Sequence, residues 1–362
     1  MSDISKKLLK WYHKNKRELP WRKVNDPYAI WVSEVMLQQT QVNTVIPYYL
    51  RFIAEFPTVT ALAQAEQDHV LKMWEGLGYY SRAINLHKSS QIVQQEYNGE
   101  VPSDPICFKK LMGVGDYINA AVQSIAFDHP LPVIDGNVKR VLSRLFEMTE
   151  AVNDIKFFKT YHERAEQLLD RENSGDYNQS IMELGAMVCK PRQMLCDKCP
   201  IHQYCQAFLN NTINQFPKRK MKQKIPSENW VAAIIQKKDK VLLTRRKTGG
   251  FLGGLWEFPG GKIENNQIIM ESCQRYIHEK LNIHISIQKH LTQVKHTYTH
   301  FKQTMDVFLC EFQSGKIKLN GPADYHWISW SEINRYALPK SNLKVLAQLS
   351  KNDHQPIITH EN

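Results

Sequence analysis

Ala29-Ile-Trp-Val-Ser-Glu-Val-Met-Leu-Gln-Gln-Thr40 reads as a buried helix with one discordant residue. At 3.6 residues per turn, Glu34 is covered by Ile30, Trp31, Leu37 and Gln38, and three of these are large and apolar. Its carboxylate therefore lies on the wrong face for solvent. The same period runs through ISKKLLKWYH, VIPYYLRFIAEF, AINLHKSSQIVQQEY and NVKRVLSRLFEM, and strand-like alternation is nearly absent as far as Phe208. Residues 1–213 are accordingly expected to be all-α, joined by Gly- and Pro-marked turns such as EGLGYY, LMGVGDY and DHPLPVIDG.

The texture then changes twice. Residues 214–228, NQFPKRKMKQKIPSE, carry five basic residues from Lys218 to Lys224 and read as a basic linker able to lie along a polyanion. From 229 to 352 the segments WVAAIIQ, KVLLTRR, HISIQKHLTQV, QTMDVFLCEF and DYHWISW are short and β-rich, with a helix around Ile268 to Leu281. That predicts a separate α+β domain, followed by a tail at 353–362.

A chain of 362 residues with 42% hydrophobic content can bury a core in each domain. It has no apolar run near the roughly eighteen residues of a membrane span and no secretory signal in MSDISKKLLKWYHKNKREL. The expectation is a cytoplasmic protein without a membrane partner. A formal net charge of +11 points to a polyanion, most simply nucleic acid.

Four of the seven cysteines form Cys189-x6-Cys196-x2-Cys199-x5-Cys205. Four thiols within seventeen residues of a reduced protein are a metal signal; zinc and an iron–sulfur cluster both suit them. Four thiolates fill the coordination of the bound group, so it need not be catalytic. Lys190, Arg192 and Lys198 between the ligands suit a loop that meets phosphates.

Leu111-Met-Gly-Val-Gly115 precedes an apolar helical run from Tyr117 to Phe127. Glycines at 113 and 115 let the backbone turn tightly and point amides outward, which can hold a DNA phosphate without reading sequence. Asp135, in Val133-Ile-Asp-Gly-Asn-Val-Lys-Arg140, opens the next helix as an N-cap. Two carboxyls thus stand in contrasting settings. Apolar neighbours should raise the Glu34 pKa to about 6, whereas a helix N-terminus should lower that of Asp135 and keep it charged. If they meet in space, the first can protonate a leaving group and the second stabilise an oxocarbenium ion. The bland alternative for Glu34 is a buried ion pair with Arg or Lys.

Taken together, SEVMLQQTQV, WEGLGYYSRA, LMGVGDY, DGNVKRVLSR, ELGAMVCKPR and the cysteine spacing resemble the adenine DNA glycosylase (MutY) family of the helix-hairpin-helix superfamily. The resemblance implies a six-helix domain over about 20–126. It also implies a second helical domain, from 1–19 plus 127–213, holding a [4Fe–4S] cluster on Cys189, Cys196, Cys199 and Cys205. The implied substrate is double-stranded DNA with adenine opposite 8-oxoguanine or guanine, met by a monomer in the bacterial nucleoid. Glu34 is similar to the acid that protonates adenine at N7, and Asp135 to the group that stabilises C1′, with Tyr117 and Asn137 beside them. Trp21, Arg22 and Gln179 match adenine-pocket positions. Gln39 and Tyr79 match residues that wedge into the stack beside the lesion, and Gly113, Gly115 and Lys139 fall on the DNA-binding side. Endonuclease III-like lyases carry a lysine where Tyr117 stands; a phenol cannot form their Schiff base, so a monofunctional enzyme is expected.

The stretch Gly249 to Gly261 and its sequel resemble the Nudix fold. The Nudix pattern asks for carboxylates at 267, 276, 279 and 280; here Gln267, Tyr276, Glu279 and Lys280 leave one, too few for its magnesium. The domain is therefore expected to be a lesion-recognition module. In it Tyr298, Thr299 and His300 match a Phe-Ser-His reading loop, with aromatic stacking and a hydroxyl kept and a methyl added. Two other readings stand beside this one. A bifunctional pyrimidine glycosylase-lyase is opposed by Tyr117 and the C-terminal domain. A non-enzymatic metal-containing DNA-binding protein would make Glu34 and Asp135 structural.

Overall fold

The computed structural model describes residues 3–221, 224–264 and 268–350; Gln267, two linker residues and the tail at 353–362 lie outside them. The chain forms two compact units, one from residues 1–64 and 85–222, the other from 65–84 and 223–362.

The helices run α1 Asp3–Asn15, α2 Pro27–Leu37, α3 Val42–Glu55, α4 Val59–Gln64, α5 Gln67–Met73 and α6 Ser81–Glu96. After these come α7 Pro105–Lys109, α8 Asp116–Phe127, α9 Gly136–Leu145, α10 Phe158–Leu168, α11 Ser174–Met187 and α12 Gln206–Leu209. In the first unit α11 is the hub, packing on α1, α8 and α9, while α2 packs on α8. Helix α2 starts where Asp26 accepts from Tyr28 N at 3.0 Å and Pro27 fills the first turn, a position that needs no N–H. It stops at Gln38, after which Gln39 turns left-handed at φ 57°. Because α2 is apolar on all sides, nearly all of it is buried, Glu34 included.

The hairpin before α8 needs only one of its glycines for shape. Gly113 sits at φ +80°, and a Cβ there would stand 2.9 Å from the Asn85 Cβ. Gly115 has ordinary extended backbone and caps α8 with open space on its Cβ side. The first part of the expected linker is bound to the helical unit: Val152 N donates to Lys218 O at 3.1 Å, and Lys220 N to Asn153 Oδ1 at 2.8 Å.

The second unit is built on a seven-stranded sheet, with β1 Ser227–Lys237, β2 Lys240–Arg245, β3 Trp256–Glu257, β4 Gly260–Ile263, β5 His284–Thr297, β6 Lys302–Ser314 and β7 Asp324–Ser329. Central strand β1 runs parallel to β6 and antiparallel to β2 and β4. Period-2 alternation puts Val231, Ala233 and Ile235 on the face covered by helix α13, Ile269–Leu281. Ala232 and Ile234 lie on the opposite face, packed with Val345 of helix α14, Lys340–Leu349. Residues 65–84, which the sequence groups with the all-α region, cluster instead with this sheet.

Candidate active site

Four helices and the 3₁₀ turn Pro20–Arg22 of the helical unit converge on one cavity of about 420 Å³, lined by Trp21, Arg22, Glu34, Tyr117, Asp135, Asn137 and Gln179 among others. Helix α2 supplies Glu34, α8 supplies Tyr117, the start of α9 supplies Asp135 and Asn137, and α11 supplies Gln179. All seven residues expected at the reaction centre and base pocket thus share one space. Gln39, Gly113, Gly115 and Lys139 do not line it. The Lys139 ammonium turns to the Val152 carbonyl at 3.4 Å and lies over the Phe158 and Tyr161 rings.

Glu34 is 5% exposed, and Tyr117 Oη donates to its Oε2 at 2.6 Å. Burial pushes Glu34 up to about 7, against the opposing pull of the Tyr117 bond. The phenol bond occupies one carboxyl oxygen and leaves the other for a proton. Burial also raises Tyr117 well above its usual range, so the phenol stays a donor.

Asp135 caps α9 as expected: Oδ1 accepts from Val138 N at 2.7 Å and Oδ2 from Asn137 Nδ2 at 2.8 Å. Asn137 is in turn held by Arg140 Nη2 at 3.0 Å, and Arg140 is anchored on the Gly185 carbonyl at 2.7 Å. The direction of the Asp135 pKa corrects the sequence expectation. Burial raises it above 3.8, outweighing the cap bonds that pull it down. A helix terminus lowers a carboxyl in solvent; here Asp135 is partly buried and lines the cavity, and desolvation is the larger effect.

One cluster escaped the sequence reading. Glu183 of α11, its side chain 1% exposed, takes Arg17 Nε and Nη2 at 2.8 Å each and Arg22 Nη2 at 3.1 Å. Against the upward push of burial, the Arg17 and Arg22 bonds hold it down at about 2. Arg22 also donates to Gln179 Oε1 at 3.1 Å, so Glu183 fixes two base-pocket positions at once. Its folded pKa lies below its unfolded value of 4.5, so its stabilisation is present above pH 4.5 and lost as pH falls towards 2. Replacing Glu183 by Ala leaves two guanidinium groups uncompensated and should cost on the order of 3 kcal/mol, read as a lower urea midpoint at pH 7. An unchanged midpoint would remove the clamp.

Cys189, Cys199 and Cys205 pack half-buried against the core beside α9 and α11. Burial first, and then the neighbouring thiols, push Cys199 up to about 12 and raise Cys196 and Cys205. The buried Arg144 donates to Cys189 Sγ at 3.2 Å. Burial that raises these thiols favours their neutral form, and among the described residues no three His, Cys, Asp or Glu side chains are grouped so as to hold a metal ion, so the case for a bound group rests on the spacing of the four cysteines.

In the other unit, Tyr79, Tyr298, Thr299 and His300 line a cavity of about 400 Å³. Thr299 and His300 are exposed, and Thr299 Oγ1 lies 2.9 Å from Tyr79 Oη. Tyr298 is half-buried. Its ring packs edge-on against Phe251 at 4.9 Å and its hydroxyl lies 3.1 Å from Ser341 Oγ. At the Nudix-box helix, the Tyr276 ring lies so close to Gly261 that a Cβ there would fall 2.1 Å from it. Arg275 pairs with Glu279 at 3.9 Å.

Both units resemble known proteins. Residues 32–167 match the model of the HhH-GPD superfamily of base excision DNA repair proteins, and residues 230–348 that of the NUDIX domain. An adenine DNA glycosylase of Rattus norvegicus is 33% identical over 93% of this chain and 76% of its own length. One from Buchnera aphidicola subsp. Schizaphis graminum is 31% identical over 95% and 97%. Among solved structures, that of a thermostable thymine-DNA glycosylase is 28% identical with a TM-score of 0.52, covering 57% of this chain and 95% of the other.

Proposed function

The chain belongs to the adenine DNA glycosylase family, and from that membership we propose that it hydrolyses the N-glycosidic bond of adenine opposite 8-oxoguanine or guanine in duplex DNA, leaving an abasic site without cutting the strand. The observation that carries this reading is the sharing of one cavity by Glu34 and Asp135. No helix among the described residues is long and apolar enough to cross a membrane, and we place the enzyme as a monomer on nucleoid DNA.

In this reading the adenine leaves the stack, at a cost of a few kcal/mol, and enters the cavity. Arg22 holds the Gln179 oxygen, which leaves the amide N–H groups for a base acceptor. Glu34 gives its proton to N7, so the base departs neutral. Asp135, held by Val138 N and Asn137, faces the positive charge that develops at C1′ until water attacks. The outward amides of the Gly113–Gly115 turn suit a phosphate, and Gln39 and Tyr79 suit a wedge. The Nudix-like domain is read as the module that meets the opposite base, with Thr299 and His300 at its face. Tyr276 stands where a magnesium-binding carboxylate would be needed for hydrolysis.

Cys189, Cys196, Cys199 and Cys205 would hold the [4Fe–4S] cluster, which supplies structural cross-linking and no hydrolytic step. The purified protein should be coloured and carry about four irons per chain; a colourless zinc-loaded protein would overturn this assignment.

The test of the whole reading is release of adenine from a duplex with adenine opposite 8-oxoguanine, with borohydride present in a parallel reaction. Expected are free adenine, an alkali-labile site, and little covalent trapping, since Tyr117 offers no amine. Adenine left in place sinks the function. Efficient borohydride-trapped product would instead sink only the monofunctional assignment.

A further inference from the structure

The loop Gly76-Leu-Gly-Tyr79 lies in the stretch that matches the glycosylase family model; Trp74 Nε1 and Arg82 Nη2, from the same stretch, hold its Gly78 carbonyl at 3.1 Å each, while the residues flanking it bond to the Nudix-like domain. Asp68, on α5 before the loop, accepts from Arg245 Nη2 at 2.6 Å through Oδ1 and from the indole Nε1 of the buried Trp256 at 3.2 Å through Oδ2. Arg245 and Trp256 are cross-strand partners of β2 and β3, so one carboxylate holds two adjacent strands. Glu75, at the mouth of the loop, accepts from the Leu338 N–H at 2.7 Å and pairs with Lys72 at 2.6 Å. Lys72 also donates to the Tyr336 carbonyl at 3.2 Å. Past the loop, the Tyr80 hydroxyl donates to the Leu338 carbonyl at 3.3 Å and accepts from Gly76 N at 3.0 Å.

Both ends of the loop are therefore tied to the 336–338 segment. Between the ties Gly76, Gly78 and Tyr79 are all left-handed, at φ 94°, 79° and 49°. That is an unfavourable conformation for a tyrosine, and it persists only where the surroundings dictate it. It throws the Tyr79 ring outward, 41% exposed, with its hydroxyl on Thr299. The sheet side is fitted as closely: a Cβ on Gly254 would stand 3.3 Å from both Gln67 Nε2 and Leu71 Cδ1 of α5. A carboxylate that accepts a buried indole N–H or a backbone N–H differs from an exposed ion pair, because its removal leaves that donor without a partner.

We infer that Asp68 and Glu75 are positioning residues for lesion discrimination, locking the 76–79 loop to the Nudix-like domain so that Tyr79 and Thr299 meet the base opposite adenine as one element. The inference rests on the mismatch reading proposed above. Neither residue lines the cavity that holds Glu34 and Asp135, so neither takes part in bond cleavage.

The experiment measures single-turnover adenine excision opposite 8-oxoguanine and opposite guanine for the full-length wild type, Asp68→Ala, Glu75→Ala and Glu75→Gln. Both alanine variants should lower the ratio of the two rates at least fivefold, chiefly through the 8-oxoguanine duplex. Glu75→Gln keeps an oxygen for the Leu338 amide and should retain most of the ratio. A role in general stability would slow both duplexes alike and leave the ratio intact, and ratios within twofold of wild type in both alanine variants overturn the inference. Should Asp68→Ala not fold, the Glu75 pair decides by the same criterion. A wild type with no preference between the duplexes would defeat the mismatch reading itself, and the inference with it; that outcome is distinct from a discriminating wild type whose variants discriminate equally.

Discussion

Glu34→Gln should lower the excision rate by about a thousandfold or more while leaving mismatch-duplex binding nearly unchanged. The substitution keeps shape and one acceptor for the Tyr117 hydroxyl, which now donates at 2.6 Å, and removes only the transferable proton. Stability should move the opposite way from activity. The carboxyl titrates near 4.5 when unfolded and about 7 when folded. Below 4.5 it is neutral in both states. Between 4.5 and about 7 the unfolded chain gives up its proton first, and above 7 the folded state carries the full cost of a buried charge. At about 1.4 kcal/mol per pH unit that span amounts to about 3 kcal/mol, which glutamine does not incur. Urea unfolding at pH 8 should therefore find the variant at least as stable as wild type, and wild-type excision should decline as pH climbs through 7. A variant that excises adenine at more than a tenth of the wild-type rate would show that another group delivers the proton.

The parts that were legible from sequence are those fixed by local pattern. Glu34 stands out because α2 is apolar on every side, and Asp135 because a short acid before VKRVL is an N-cap; both inferences use neighbours within four residues. The β-rich segment around 231–235 likewise forms a strand, buried on both faces. What was not legible depends on residues far apart in the chain. Glu183 is as discordant in SIMELGAM as Glu34 is in α2, but Arg17 and Arg22 lie 166 and 161 residues away, and only packing of α1 on α11 brings them together. The acidity of Asp135 depends on how far the walls of the cavity desolvate its carboxyl, which no cap rule contains. The ring edge of Phe251 and the hydroxyl of Ser341 that Tyr298 meets come from other elements of the chain. The attachment of residues 65–84 to the sheet follows from Asp68 and Glu75, whose partners lie about 180 and 260 residues on.

Asp135→Asn should abolish excision as thoroughly, by about a thousandfold, with little loss of fold. Asparagine caps helices about as well as aspartate, so the bond from Val138 N at 2.7 Å survives. The second oxygen becomes an NH₂ facing the Asn137 NH₂, a donor against a donor that Asn137 must turn from, and this costs on the order of 1 kcal/mol. The charge is the larger matter. A carboxylate close to a forming oxocarbenium ion, in a cavity walled by protein, interacts far more strongly than it would in bulk solvent. Removing it takes away stabilisation that exists only in the transition state, so the rate falls and binding does not. The raised pKa of Asp135 gives the wild type an acid limb as well: activity should fall on acidification, at a pH above the ordinary 3.8 of an aspartate. With the alkaline limb near 7 from Glu34, the result is a bell whose two limbs belong to the coupled pair, since each carboxyl feels the other across the cavity. Asp135→Asn should melt within a few degrees of wild type and retain duplex affinity. A variant that meets both conditions and still excises at a tenth of the normal rate would leave the cation at C1′ stabilised by something other than this carboxylate.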